Sequence, residues 1–220
     1  MGQMIDLTRP DGGNLAAYVS DIDKTRPGVI VIQEWWGLND HIKSIVERFS
    51  FEGFNALAPD LYHGRITKDA DEASHMMSGL DFQGAVHEDI AAAQAWLKTV
   101  NPSVAIMGFC MGGALTIGAA VRLDGFKAAV CFYGMPSKAF ADPKDIKIPF
   151  QGHFGRIDDW VTPALVAGLQ GDMIAAGNPP EVYSYDADHA FFNKTRPEVY
   201  NAEASEQAWT RMMAFLRKNL

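Results

Sequence analysis

Residues 103–114, S-V-A-I-M-G-F-C-M-G-G-A, constrain this chain more than any other stretch. An apolar run of the kind that forms a buried strand ends at Gly108. A helix-forming run, residues 114–120, starts directly behind it. Between the two sits G-x-C-x-G, the nucleophile-elbow pattern with cysteine in the place usually held by serine. A strand that turns this sharply into a helix strains its pivot residue, and small neighbours keep the crossing free of clashes. Gly108 and Gly112, two positions either side of Cys110, are the residues such a bend needs. The turn also aims the Cys110 sulfur at a helix N-terminus, whose free N–H groups favour a thiolate. A strand-to-helix turn that merely holds a buried cysteine is the plainer alternative, and the rest of the chain has to separate the two.

Around this pivot the chain alternates between strand-like and helix-like segments. Residues 3–7 and 14–19, joined by Pro10-Asp11-Gly12-Gly13, read as a hairpin at a sheet edge. Residues 28–33, β-branched and without polar alternation, read as a strand buried on both faces. Asn39 or Asp40 caps a helix through Ile42, Ile45, Val46 and Phe49, which Gly53 ends before a strand over 54–58. Residues 59–84 are polar and irregular, and read as a long functional or flexible loop. A helix through Val86, Ile90, Ala93, Trp96 and Leu97 leads into the elbow strand. Further strands are expected at 126–132, 148–154 and 182–185. Helical stripes are expected at Leu165, Leu169, Met173 and Ile174, and at Ala208, Met212, Phe215 and Leu216. Alternation of this kind predicts a single α/β domain over residues 1–220, with a mainly parallel sheet flanked by helices and an N-terminal edge hairpin. Ligands of such sheets bind at the carboxyl ends of the strands, where each polar cluster of this sequence falls.

Composition narrows the function. The 220 residues, 48% hydrophobic and 21% charged, suit one globular core. A formal charge of −8 argues against non-specific nucleic-acid binding, which depends on Lys and Arg. No apolar run reaches the length of a membrane span, and the N-terminus lacks a signal core, so a cytoplasmic protein is expected. Cys110 and Cys131 are the only cysteines, too few for a disulfide framework; Cys131, in an apolar run, reads as a buried core residue. The histidines form no metal-ligand spacing with them and no phosphate-binding glycine loop is present, so neither metal nor cofactor is expected.

A cysteine nucleophile needs a base, and the base needs an orienting group. His189 follows the last expected strand, and Asp158 and Asp159 follow the strand that ends near Phe154. Cysteine, then acid, then histidine is the chain order of α/β-hydrolase triads. Sequence spacing leaves the choice between Asp158 and Asp159 open.

The chain resembles the dienelactone hydrolase family, the cysteine branch of the α/β-hydrolases. The resemblance rests on Gln33-Glu34-Trp35-Trp36-Gly37-Leu38-Asn39, Ala58-Pro59-Asp60-Leu61-Tyr62, Gly108-Phe109-Cys110-Met111-Gly112-Gly113, Phe154-Gly155-x-x-Asp158 and Asp188-His189-Ala190-Phe191, in order from about residue 28 to the C-terminus. It implies an α/β-hydrolase fold and a triad of Cys110, Asp158 and His189, and so selects Asp158. It also implies that Glu34 takes the Cys110 proton once substrate binds. A carboxylate just after a buried strand and beside two tryptophans suits that role through a raised pKa. The backbone N–H groups of Trp35 and Met111 match the family's oxyanion hole. The implied reaction is hydrolysis of small esters or lactones of the dienelactone type, carboxymethylenebutenolide to maleylacetate, through a thioester. The implied protein is a monomer whose partner is a small molecule.

The substrate side departs from the family pattern. Of two arginines that hold the dienelactone carboxylate, the first position carries Gly64, with Arg65 one place later. The second carries Asn193, with Lys194 and Arg196 nearby. Arg65 is the expected carboxylate partner, and Trp36 and Trp160 match pocket-lining positions. Broad carboxylesterase, thioesterase or phosphotriesterase activity at the same site is the alternative, followed by a binding protein without turnover. A redox-sensing thiol, which needs a resolving cysteine, is the least suited.

Overall fold

The computed structural model describes residues 2–220. Eight strands form one sheet in the order β1-β2-β4-β3-β5-β6-β7-β8. They are β1 (Gln3–Thr8), β2 (Asn14–Val19), β3 (Gly28–Ile32), β4 (Asn55–Pro59), β5 (Val104–Phe109), β6 (Ala129–Phe132), β7 (Phe150–Gly155) and β8 (Glu181–Tyr185). Strands β3 to β8 are parallel; β2 is antiparallel to both its neighbours, and β1 closes the expected edge hairpin.

Strand β3 shows why the centre of the sheet carries no polar alternation. Ile30 and Ile32 enter one core while Val29 and Val31 enter another, and all four are fully buried. The first core lies under α4 (Ala91–Val100), α5 (Met111–Arg122) and α6 (Pro163–Ala175). The second lies under α1 (Asp40–Phe51) and α7 (Ala202–Asn219). Asn39 caps α1 by accepting from the Ile42 N–H at 3.2 Å. Among the described residues, no helix is long and apolar enough to cross a membrane.

Three segments differ from expectation. The supposed loop over 59–84 contains α2 (Ala70–Ser78), capped by Asp69, which accepts from the Glu72 N–H at 2.9 Å. This helix buries only Ala73 and Met76, so its apolar periodicity is too faint to read. The helix before the elbow starts as α3 (Phe82–Gly84) and passes through a π-helical turn, Ala85–Ile90, before α4. On α6 the buried stripe is Val166, Leu169 and Met173, whereas Leu165 and Ile174 lie in solvent.

Candidate active site

Cys110 sits between β5 and α5 with φ 54° and ψ −118°, a conformation costly for a residue with a side chain. The crossing is held by contact on both sides. A Cβ on Gly108 would strike the Gly112 carbonyl and come within 2.7 Å of the Thr116 hydroxyl. A Cβ on Gly112 would strike the carbonyls of Ile32 and Gln33. The backbone that follows β3 is thereby pressed against the start of α5, with Trp35 on one segment and Met111 on the other. Met111 opens α5, so its N–H has no acceptor within the helix.

Three loops at the carboxyl ends of β5, β7 and β8 bring the expected residues together. The His189 Nε2 lies 3.1 Å from the Cys110 Sγ, and its Nδ1 lies 2.8 Å from the Asp158 Oδ2. Asp158 is 2% exposed, and its other oxygen accepts from the N–H groups of Trp160 and Val161 at 2.7 and 2.8 Å. Burial alone would raise the Asp158 carboxyl. The His189 ring and the two N–H groups outweigh it and hold the carboxyl below its ordinary value. For His189, burial is likewise overridden, by Asp158 and Cys110, which push the imidazole up to about 10. Asp159 is exposed at the cleft rim, and it is Asp158 that bonds the histidine ring. The Trp160 ring, itself 60% exposed, stacks on His189 at 5.6 Å.

Glu34 is 2% exposed, and burial raises its carboxyl above the ordinary range. Two donors partly offset that: the Tyr133 hydroxyl at 3.1 Å and the Asn193 side-chain amide at 2.5 Å. Asn193, itself fully buried, is thus a neutral donor to Glu34. Tyr133 was not singled out in the sequence. Its position directly after β6, at the edge where ligands bind, is the signal that points to it. Trp36 is buried with the Arg196 guanidinium 4.9 Å over its ring, and both line the Cys110 cleft.

Arg65 is placed elsewhere. Its guanidinium lies 3.8 Å from Glu72, and it borders a separate polar depression shared with Arg9, His63 and Asp89. A one-residue shift of the loop after β4 does not bring it to the cleft wall, because that loop turns into α2. The cation that borders the cleft is Arg196.

The profile of the Dienelactone hydrolase family matches residues 15–220, from the second residue of β2 onward. The chain belongs to that family. Membership places it among hydrolases that act on esters and lactones, and confirms the α/β-hydrolase architecture. The chain is 33% identical over its whole length, and over all of the relative, to "Protein usf" of Aquifex pyrophilus. It is 32% identical to a "Putative carboxymethylenebutenolidase" of Saccharolobus solfataricus, across 94% of this chain and 95% of that one. Among solved structures, a "Putative Dienelactone Hydrolase" from Klebsiella pneumoniae superposes with a TM-score of 0.89 at 27% identity, covering 99% and 98% of the two chains. A dienelactone hydrolase-like promiscuous phosphotriesterase from metagenomic libraries shares the fold, with a TM-score of 0.82 at 24% identity over 100% and 98%.

Proposed function

We propose that this member of the dienelactone hydrolase family cleaves small, activated esters or lactones with Cys110 as nucleophile. The observation that carries the reading is the unbroken chain from the Cys110 Sγ through His189 to Asp158, on a strained pivot. Asp158 holds the Nδ1 proton of His189, which leaves Nε2 to exchange a proton with the sulfur. The Cys110 sulfur forms a bond to the carbonyl carbon, and the oxygen gains charge beside the N–H groups of Trp35 and Met111. The C–O bond then breaks, and His189 delivers its proton to the departing oxygen. Water, deprotonated by His189, cleaves the thioester and returns the thiol. Glu34, buried and raised, is an added proton acceptor when substrate closes the site.

A thiol suits good leaving groups, so enol lactones such as carboxymethylenebutenolide, yielding maleylacetate, are favoured over amides. A carboxylate on the substrate would meet Arg196 at the cleft wall. Ultraviolet-monitored loss of cis-dienelactone tests this, with wild type and Cys110→Ala side by side. Turnover by the wild type that disappears in the folded variant is the expected result. Equal rates in the two proteins would refute the mechanism.

A further inference from the structure

The space at the nucleophile is divided in two. Cys110, His189 and Trp160 border both parts, and the Trp160 ring stacked on His189 stands between them. The smaller part, about 290 Å³, is bordered by Glu34, Asp159, Asp188 and Arg196. The larger, about 630 Å³, is walled by Met77, Phe82, Ala114, Met135, Phe140 and Leu165. Among the described residues, no Asp, Glu, Lys or Arg borders the larger part. A compact, anionic lactone has no apolar chain with which to fill it.

Its wall explains what it would hold. Phe82 and Phe140 meet edge to face at 5.5 Å and form a fixed back. Met77 and Met135 are unbranched thioethers that adapt to the shape of an occupant. Leu165 and Trp160, 48% and 60% exposed, stand in water at the rim unless an apolar group covers them. The two compartments also differ in the chain segments that flank them. Asp188 and Ala190, the chain neighbours of His189, border only the smaller part, whereas Met111 and Ala114 of α5 border only the larger. His189 reaches both sides, so charge separates their uses: a polar leaving group suits the smaller side, with Glu34, Asp159, Asp188 and Arg196, and an apolar acyl group suits the larger.

We infer that the larger compartment is an acyl-chain subsite, and that this enzyme takes esters whose acyl part is an aliphatic chain or a single aromatic ring. Phe140, Met135 and Leu165 set the limit on acyl size. The inference rests on the proposed Cys110 hydrolase reading and adds the substrate class to it.

The test compares kcat/KM for vinyl acetate and vinyl hexanoate, whose leaving group is the same small enol. Wild type is expected to prefer hexanoate by at least about tenfold, since each fully buried methylene is worth roughly a factor of four. Leu165→Trp fills the compartment from a half-exposed position on the first turn of α6, and Met135→Trp fills it from the segment after β6. Each is expected to bring the hexanoate-to-acetate ratio back toward one. A wild-type ratio near one, or a ratio that neither variant moves, overturns the subsite while leaving the hydrolase reading intact. Absence of turnover with both esters, or turnover that survives in Cys110→Ala, overturns the hydrolase reading and the subsite with it.

Discussion

Cys110 and His189 depend on Asp158 for more than proximity. The carboxylate, held by two backbone N–H groups on one oxygen and facing the imidazole with the other, fixes the orientation of the ring and keeps its proton on Nδ1. Asp158→Asn would keep the shape but present an amide N–H to Nδ1, forcing the proton onto Nε2, where it blocks transfer from sulfur. The expected loss in kcat is about 10³–10⁴-fold. The pH profile should move as well. The imidazolium that Asp158 and Cys110 sustain up to about 10 is lost at lower pH once the carboxylate is gone, so the alkaline limb shifts down. A variant with a reduced rate and an unmoved alkaline limb would show that Asp158 orients the ring without sustaining its charge. At this scale the sequence was legible where chemistry is tied to a motif: Cys110, His189, Glu34, Trp36 and Trp160 all border the cleft. It was illegible where a side chain's direction decides, as with Arg65, which turns to Glu72.

Strands carry the placement of Cys110, Asp158 and His189, and β7 shows how tightly. His153, fully buried in β7, lies between the rings of Phe132 and Tyr183, 4.5 and 5.7 Å away. The Gln151 Oε1 can only accept, so the His153 Nε2 carries the proton and donates to it at 2.8 Å; Nδ1 then accepts from the Tyr185 hydroxyl at 2.8 Å. Burial, with the charge of Arg211, lowers the imidazole to about 3. An unfolded histidine titrates near 6.5. The native neutral form therefore favours folding fully above that value, and the advantage is lost as pH falls from about 6.5 toward 3. Between pH 6 and 4 the difference in stability between wild type and His153→Gln should shrink by about 1.4 kcal/mol per pH unit. Urea unfolding at both pH values measures it; parallel loss in the two proteins would rule out His153 as the source. The strands and long helices were readable because their apolar residues recur with a clear period. Helix α2 was not, because its two buried residues form no stripe and its capping residue, Asp69, looks like any loop acid. The π turn before α4 leaves no mark in the pattern, since it shifts the helix phase within an otherwise regular apolar run.

Across the whole molecule the two thiols report on different things. Cys110 is partly accessible at the cleft, whereas Cys131 is fully buried in β6, where burial pushes its thiol up to about 12. Iodoacetamide should therefore modify one thiol in the native protein and the second only as the sheet unfolds, with the second step tracking the global transition. Rapid native labelling of both, counted by mass spectrometry, would contradict this packing. Membership in the family was visible from separate motifs spread over the chain, because each marks a strand end on the same edge of one sheet. The division of the cleft was not visible, because its walls come from α2, α3, α6 and the segment after β6, which share no motif. The order of Cys110, Asp158 and His189 along the chain also bears on synthesis. A nascent chain displays Cys110 well before Asp158 and longer still before His189, and β8 must add to the far edge of the sheet before the histidine loop can close over the sulfur. The Cys110 thiol is thus made without its imidazole partner, and contact between the two marks the arrival of the last strand at the sheet edge.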